Sequence, residues 1–411
     1  MGVVTWRYVS IYAAFLASVT ILQAQRDTIS EYPIEQGCCP NGITTGPDGA
    51  LWFAAGFVIG RATTSGALSY YQVPFTPQGA IVSGPDNALW FTGYQATVGS
   101  IGRITTAGVV TQYPTPAQNS FPQAITSGPD GAMWFTESGA NNIGRITTAG
   151  VFTEYPIPTP NSYPISIATG PDGALWFTEG VGDKIGRITT QGTITEFGIG
   201  AALASPNWIT AGPDGALWFT ELSLPAPRIG RITTAGAVTS YVLAPEGATG
   251  QITTGPDGAL WFTGGEFNSV GRITTSGVVT EYPLPTSSSF PTGITTGPDG
   301  GLWLVENNAA NVARASACGI GLSLNYANGT LTIGFDVGTN NAATWRTWLV
   351  TGTGGSRLFE KSLDPITSPR VTSTNLTNFS NQGNVEVLST LSGTNGISCS
   401  ELQMVNTGPS Q

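Results

Sequence analysis

Four glutamates stand at one point of a recurring motif: Glu137, Glu179, Glu221 and Glu306 each end a Trp-Phe-Thr-Glu or Trp-Leu-Val-Glu run. Carboxylates gathered from separate repeats can do two kinds of work. One whose pKa is raised by burial or by neighbours can serve as a general base, and several together can hold a hard divalent cation through oxygen ligands. Like charges in a narrow cleft also raise one another's pKa unless a cation offsets them. Glu179 and Glu221 are the candidate catalytic bases, and Glu137, Glu179, Glu221 and Glu306 the candidate ligands of Mg²⁺ or Ca²⁺. The competing reading leaves them as solvated strand-end carboxylates too far apart to share an ion.

Other chemistry is narrowed by what the chain lacks. Its 411 residues contain no histidine, so no imidazole can act as acid, base or metal ligand. A serine or cysteine nucleophile would need an unusual base such as Lys184 or Lys361. Zinc sites are built on histidine or paired Cys-x-x-Cys motifs, and neither is present. With 15 Lys and Arg against 25 Asp and Glu, a net charge of −10, no basic face is available to neutralise phosphates, which argues against nucleic acid.

The elements that must position these carboxylates come from a repeat. Gly-Pro-Asp-Gly begins at Gly128, with counterparts at Gly46, Gly84 (as Gly-Pro-Asp-Asn), Gly170, Gly212, Gly255 and Gly297, spaced 38, 44, 42, 42, 43 and 42 residues apart. A period near 42, made of short runs rich in β-branched and aromatic residues between glycine-containing turns, is the pattern of four-stranded propeller blades. In the unit around Glu137 the spacing predicts strands over 125–127, 133–137, 143–147 and 151–157. Pro129 presets φ at the first turn, Asp130 can bond back to the turn backbone, and Gly131 accepts a positive φ. Trp134 and Phe135 are strand neighbours and point to opposite faces. A blade enclosed on both sides suits that pair.

The fold class is therefore all-β, a seven-bladed β-propeller over residues 28–316 followed by a small β-sandwich-like domain over 318–411. Thr28 to Ile34 reads as a fourth strand that precedes any first strand, while the last unit stops after its third. Closure is expected by the N-terminal strand completing blade seven, which leaves no open sheet edge. Residues 1–24 read as a signal peptide, with Arg7 before an apolar run from Tyr8 to Leu22 and cleavage near Ala24. The mature chain is expected to be secreted or periplasmic, free of the membrane and monomeric. Cys318 and Cys399 lie near the two ends of the C-terminal domain, and a disulfide between them is the favoured pairing. Cys39 is expected to pack where the other repeats place Phe121, Tyr163 and Phe290.

Antiparallel pairing puts the start of each first strand beside the end of the second, at one end of the ring. The mouth so defined gathers Asn41, Gln123, Asn207, Trp208, Tyr94 and Thr292 as candidate binding residues. Phe57, Phe121, Tyr163, Phe267 and Phe290 fall in the same loops. These rings either stack on a small molecule, peptide or glycan or simply plug the blade tops. Arg61, Arg103, Arg145, Arg187, Arg231, Arg272 and Arg314 recur once per blade, which marks a structural role, expected as a bond between blades.

The GPDGALWFTE, IGRITT and VTEYPLP elements, over about residues 28–316, closely resemble the streptogramin lyases, also called virginiamycin B lyases. The resemblance implies a seven-bladed propeller that opens a cyclic depsipeptide by elimination at an ester, with Mg²⁺. It also implies acid and base histidines two residues before the first-strand isoleucine, and a metal-associated glutamate at the end of WFTE. Here the histidine slots hold Asn41, Gly79, Gln123, Ile165, Asn207, Gly250 and Thr292. The glutamate slots hold Ala55, Gly93, Glu137, Glu179, Glu221, Gly264 and Glu306. The imidazole chemistry is lost, and an acidic or metal-binding feature is what could persist.

Overall fold

Seven four-stranded antiparallel sheets follow one another along the chain in the computed structural model, which describes residues 29–200, 204–222, 226–243, 249–265 and 268–315, and beyond them the backbone of the strands between 320 and 406. The expected signal segment lies outside the described residues. No α-helix occurs among the described residues, and none is long and apolar enough to cross a membrane.

The third blade shows the plan. Its strands are Pro122–Ser127, Met133–Glu137, Asn142–Ile146 and Phe152–Pro156. The first strand begins three residues earlier than periodicity suggests. Pro122 pairs with Glu137 and Ile125 with Phe135, so one residue is extra and the strand bulges at Gln123-Ala124. The same one-residue irregularity recurs in six blades, and in blade two the bulge between Gln78 and Ile81 holds two extra residues.

Trp134 and Phe135 are both fully buried, one on each face of the sheet. Burial of such a ring contributes on the order of 3 kcal/mol before ordering costs. Asp130 fixes the tryptophan: its Oδ1 accepts from Trp134 Nε1 at 3.0 Å and its Oδ2 from Arg145 Nε at 2.7 Å. Tyr155 stacks on the same indole at 5.5 Å. Equivalent Asp–Arg pairs form within blades one, two, four, five and seven. The repeated arginines therefore join turn to third strand inside a blade rather than bridging blades.

Between blades the contacts are made by small groups. The turn glycine of one blade rests on the fourth-strand ring of the blade before it, as Gly150 does on Tyr113 and Gly192 on Tyr155. A side chain there would collide with the ring.

The N-terminal strand Ile29–Pro33 pairs antiparallel with Asn311–Ala315 in the seventh sheet. Gly66 of blade one rests on Tyr32 of that strand, and Tyr32 stacks on Trp303 at 5.8 Å. The seam thus repeats the contact used elsewhere around the ring.

A second unit comprises Ser316–Gln411 together with Pro256–Gly258. Its strands form two antiparallel sheets. One holds Ile320–Ala327, Thr330–Val337 and Arg370–Thr377, and the other Arg357–Leu363, Ala343–Thr351, Asn384–Gly393 and Ser398–Asn406. Cys318 lies outside the described residues and of Cys399 only the backbone is described, so the expected disulfide falls outside them.

Candidate functional site

The bulge of each first strand is what shapes the mouth, and a threonine of the second strand holds it. Thr136 Oγ1 accepts from the Ala124 N–H at 3.1 Å and donates to the carbonyl of Ile165 in the next blade at 2.9 Å. Thr178 does the same for Ser166 and Asn207, at 3.0 and 2.6 Å, and Thr220 for Trp208 and Gly250, at 3.0 and 3.2 Å. One hydroxyl therefore satisfies a bulge N–H and ties it to the neighbouring blade, leaving neither buried group orphaned.

Ala54 and Val305 replace this threonine in blades one and seven. There Thr292 Oγ1 donates to Pro40 O at 2.9 Å, and Asn307 Nδ2 donates to Pro40 O and to Asn41 Oδ1, both at 3.2 Å.

All six expected mouth residues, Asn41, Tyr94, Gln123, Asn207, Trp208 and Thr292, are half-buried. Gln123 Nε2 donates to Ser138 Oγ at 3.2 Å, which holds its amide at the level of the loop after the second strand. Trp208 goes further than its sequence position suggests. Although it belongs to blade five, its Cη2 lies 3.7 Å from where a Cβ on Gly79 of blade two would stand. The two blades are not neighbours, so the indole reaches across the central channel.

The aromatic rim is held in a strained backbone. Phe121, Tyr163 and Phe290 have φ of 43°, 54° and 53°, as do Cys39 and Ser205 at 54° and 44°, and a proline follows each of them. Bulky residues rarely adopt this region, and holding one there costs about 1–3 kcal/mol. The loops are clamped from the blade before: Asn141 Oδ1 accepts from the N–H and Oγ–H of Ser162 at 2.7 and 2.9 Å, and Asn268 Oδ1 from Ser289 at 2.6 and 2.7 Å. On these loops Tyr163 is 46% and Phe290 38% exposed, while Phe57, in the turn after the second strand of blade one, is 65% exposed. Tyr94 meets Phe121 edge-to-face at 6.2 Å. Tyr163 and Phe290 therefore stay in solvent and do not plug the blade tops. Phe267 lies outside the described residues.

The glutamates are not at the mouth surface. Glu137, Glu179 and Glu306 have no exposed area and Glu221 is 1% exposed. Glu137 sits in the second strand, with Pro122 on its channel side and Asn142 on its rim side, so its carboxyl is enclosed by its own blade. The expected acidic arc is thus not formed. Each carboxyl faces its own fourth strand: Glu154 beside Glu137, Glu196 beside Glu179 and Glu31 beside Glu306. Ser240 Oγ donates to Glu221 Oε1 at 2.9 Å.

Burial pushes Glu137 up to about 8, with the charge of Glu154 adding and Asn142 opposing. Burial likewise takes Glu179 to about 7, with Glu196 adding and Lys184 opposing. Glu306 reaches about 7 through burial, with the Asn311 hydrogen bond opposing and Glu31 adding. Burial raises Glu221 as well, against Ser240 and Arg228.

Among the described residues, Glu137 Oε1, Glu221 Oε2, Glu306 Oε1 and both oxygens of Glu179 find no hydrogen-bond partner. Mg²⁺ or Ca²⁺ needs six or more oxygens around one point. Among the described residues no three Asp, Glu or Cys are grouped to hold a metal ion. In blade four Lys184 already supplies a cation, its Nζ donating to Glu196 at 3.1 Å and Thr159 at 2.6 Å. The donor set does not fit one ion shared by the four glutamates.

Sequence reasoning missed the fourth-strand glutamates. Glu31 accepts from Thr286 N and Oγ1 at 3.1 and 2.6 Å, and Glu196 from Thr159 N and Oγ1 at 3.0 and 2.9 Å. They staple the outer strand of one blade to the loop arriving from the blade before it. The signal was a glutamate second in the fourth-strand run, Ser-Glu-Tyr-Pro at Glu31 and Thr-Glu-Phe-Gly at Glu196, preceded in those blades by Pro-Thr in the loop.

Cys38 and Cys39 are free and exposed. Cys39 shares the backbone conformation of Phe121, Tyr163 and Phe290, but it is exposed and does not pack as expected.

The model of the virginiamycin B lyase family matches residues 14–221 and 182–321. Among solved structures, a streptogramin B lyase is 36% identical, covers 70% of this chain and 96% of its own, and superposes with a TM-score of 0.64. Virginiamycin B lyase from Staphylococcus aureus is 37% identical over 70% of this chain and 98% of its own, with a TM-score of 0.64. A catalytically inactive histidine-to-alanine variant of the same S. aureus enzyme, with quinupristin, is 36% identical over the same shares, with a TM-score of 0.65. No curated protein matches at a significant level.

Proposed function

The chain belongs to the virginiamycin B lyase family, and from that premise we propose that it is an exported propeller that binds a small molecule, peptide or glycan at its mouth without the histidine-based lyase chemistry. One observation carries this reading. The clamped bulges present amide, hydroxyl, aliphatic and glycine positions where acid–base groups would be needed, and the chain has no histidine. In the S. aureus relative, a variant with one histidine replaced by alanine is catalytically inactive and is found with quinupristin. The apolar Tyr8–Leu22 run supports export.

A second reading keeps the lyase and gives the base role to Glu179 or Glu221. In its favour, a carboxyl near pH 7 is well tuned for proton abstraction, and Glu179 is raised to about 7. Against it, a base must come within hydrogen-bond reach of the proton it removes, and Glu179 and Glu221 are 0% and 1% exposed. Incubation with virginiamycin B, with cyclic and linear forms separated by chromatography, tests the first reading. The cyclic form is expected to persist.

A further inference from the structure

Around the channel, the two positions of every bulge are uncharged: the seven slots hold Asn, Gly, Gln, Ile, Asn, Gly and Thr, and the seven residues after them Gly, Ala, Ala, Ser, Trp, Gln and Gly. An occupant in contact with this ring cannot bury a charge against it without an uncompensated desolvation cost. The ring has one large apolar surface, the half-buried Trp208 indole that crosses from blade five to Gly79 of blade two. At slot positions around it stand Asn41, Gln123 and Asn207, amides that keep both donor and acceptor capacity beyond the bonds already described, and Thr292, whose hydroxyl donates to Pro40 O and can still accept.

We propose that the mouth takes a neutral saccharide, one sugar ring lying on Trp208 and its hydroxyls bonded by the amides of Asn41, Gln123 and Asn207. This rests on reading the mouth as a binding site. A pyranose has an apolar C–H face that matches a flat indole and a rim of hydroxyls that match groups able to donate and accept. A neutral peptide would satisfy the amides equally well, but its side chains need separate apolar pockets and the ring offers a single indole. The exposed rings of Tyr163 and Phe290 stand higher, on the clamped loops, where further sugar units of a chain would stack.

The test is calorimetric titration of the full-length protein with cellohexaose, laminarihexaose and chitohexaose, with an oligogalacturonide as the charged control and quinupristin as the peptide control. At least one neutral hexasaccharide is expected to bind, and the oligogalacturonide is not. Trp208→Ala should weaken that binding tenfold or more and Trp208→Phe less. Gln123→Ala, which removes a half-buried amide and leaves the indole, should weaken it severalfold and guards against a folding defect in the tryptophan variants. Binding of quinupristin alone, dependent on Trp208, would overturn the saccharide assignment and leave the mouth standing as a binding site. Saccharide binding unchanged by both Trp208→Ala and Gln123→Ala would also overturn it. Flat titrations with every probe would remove both this assignment and the binding reading it rests on.

Discussion

Trp208 of blade five lies against Gly79 of blade two, its Cη2 3.7 Å from the position a Cβ would take there. A leucine at position 79 would compete for the space of the indole. Gly79→Leu is expected to cost about 1–3 kcal/mol from overpacking, and Trp208→Ala about 1–2 kcal/mol from lost burial of a half-exposed ring. In the double variant the leucine fills space the indole has left, so the combined cost should fall short of the sum by at least about 0.5 kcal/mol. Denaturant unfolding of the four proteins measures this, and simple additivity would show that the indole does not cross the channel.

The threonine clasp predicts a second loss. Thr178→Val keeps shape but removes the acceptor of the Ser166 N–H and the donor to Asn207 O, orphaning two groups. A destabilisation of about 1–3 kcal/mol is expected. Thr263 also donates to the next blade, to Thr292 O at 2.8 Å, so Thr263→Val should behave alike. If both variants unfold at the wild-type denaturant midpoint, the hydroxyls do not hold the bulges.

Much of this was legible because the repeat is strict. Asp130 and Trp134 recur four residues apart in every blade and Arg145 once per blade in the same order, so number of blades, strand order and the structural nature of the arginines followed from the repeat. What was not legible depended on a single bulged residue. Gln123-Ala124 adds one residue to its strand, and no pattern of period two reveals such an insertion. The orientation of Glu137 was hidden for a related reason. Its place at the strand end marks it as near the mouth, while its burial depends on how the hairpin to Asn142, the fourth-strand Glu154 and the incoming loop close over it, which strand alternation does not show. Trp208 could be placed at the mouth, but its reach to blade two follows from ring closure and the small residue opposite.

Stability should vary with pH in a defined sense. Partial burial pushes the turn aspartates up, but hydrogen bonds from tryptophan and arginine outweigh it, so Asp48, Asp86, Asp130, Asp172, Asp214 and Asp299 lie below their ordinary 3.8. Their contribution is present above that value and is lost as pH falls. Glu137 is raised from 4.5 to about 8, and Glu179 and Glu306 to about 7. Their contribution is full below 4.5 and is lost as pH rises through those folded values. Stability is therefore expected to peak near pH 4–5 and to decline toward about pH 8. Glu137→Gln, which stays neutral, should flatten the alkaline side. Denaturation midpoints measured from about pH 3 to pH 9 check both limbs, and a profile rising steadily to pH 8 would refute the buried-carboxyl account.

Closure of the ring carries a further prediction. Removing residues 25–35 deletes the strand that pairs with Asn311–Ala315 and uncovers Trp303. Tyr32→Ala removes only the stacked ring and its contact with Gly66, at an expected cost of about 2–4 kcal/mol, or roughly 4–12 °C in Tm for a domain of this size. The deletion should cost more. A truncated protein with an unchanged melting curve would show that this strand does not seal the propeller.

The most direct test of the central claim, a binding mouth without lyase chemistry, is a ring-opening assay on virginiamycin B with and without millimolar Mg²⁺. Elimination gives a linear isomer of unchanged mass, so the readout is a shifted retention time with linear fragmentation in tandem mass spectrometry. The account predicts no linear isomer above the protein-free control, in wild type or in a Glu179→Gln/Glu221→Gln variant. A Mg²⁺-dependent linear isomer formed by the wild type and abolished in that variant would contradict it, and would mean that a buried carboxyl reaches the substrate after all.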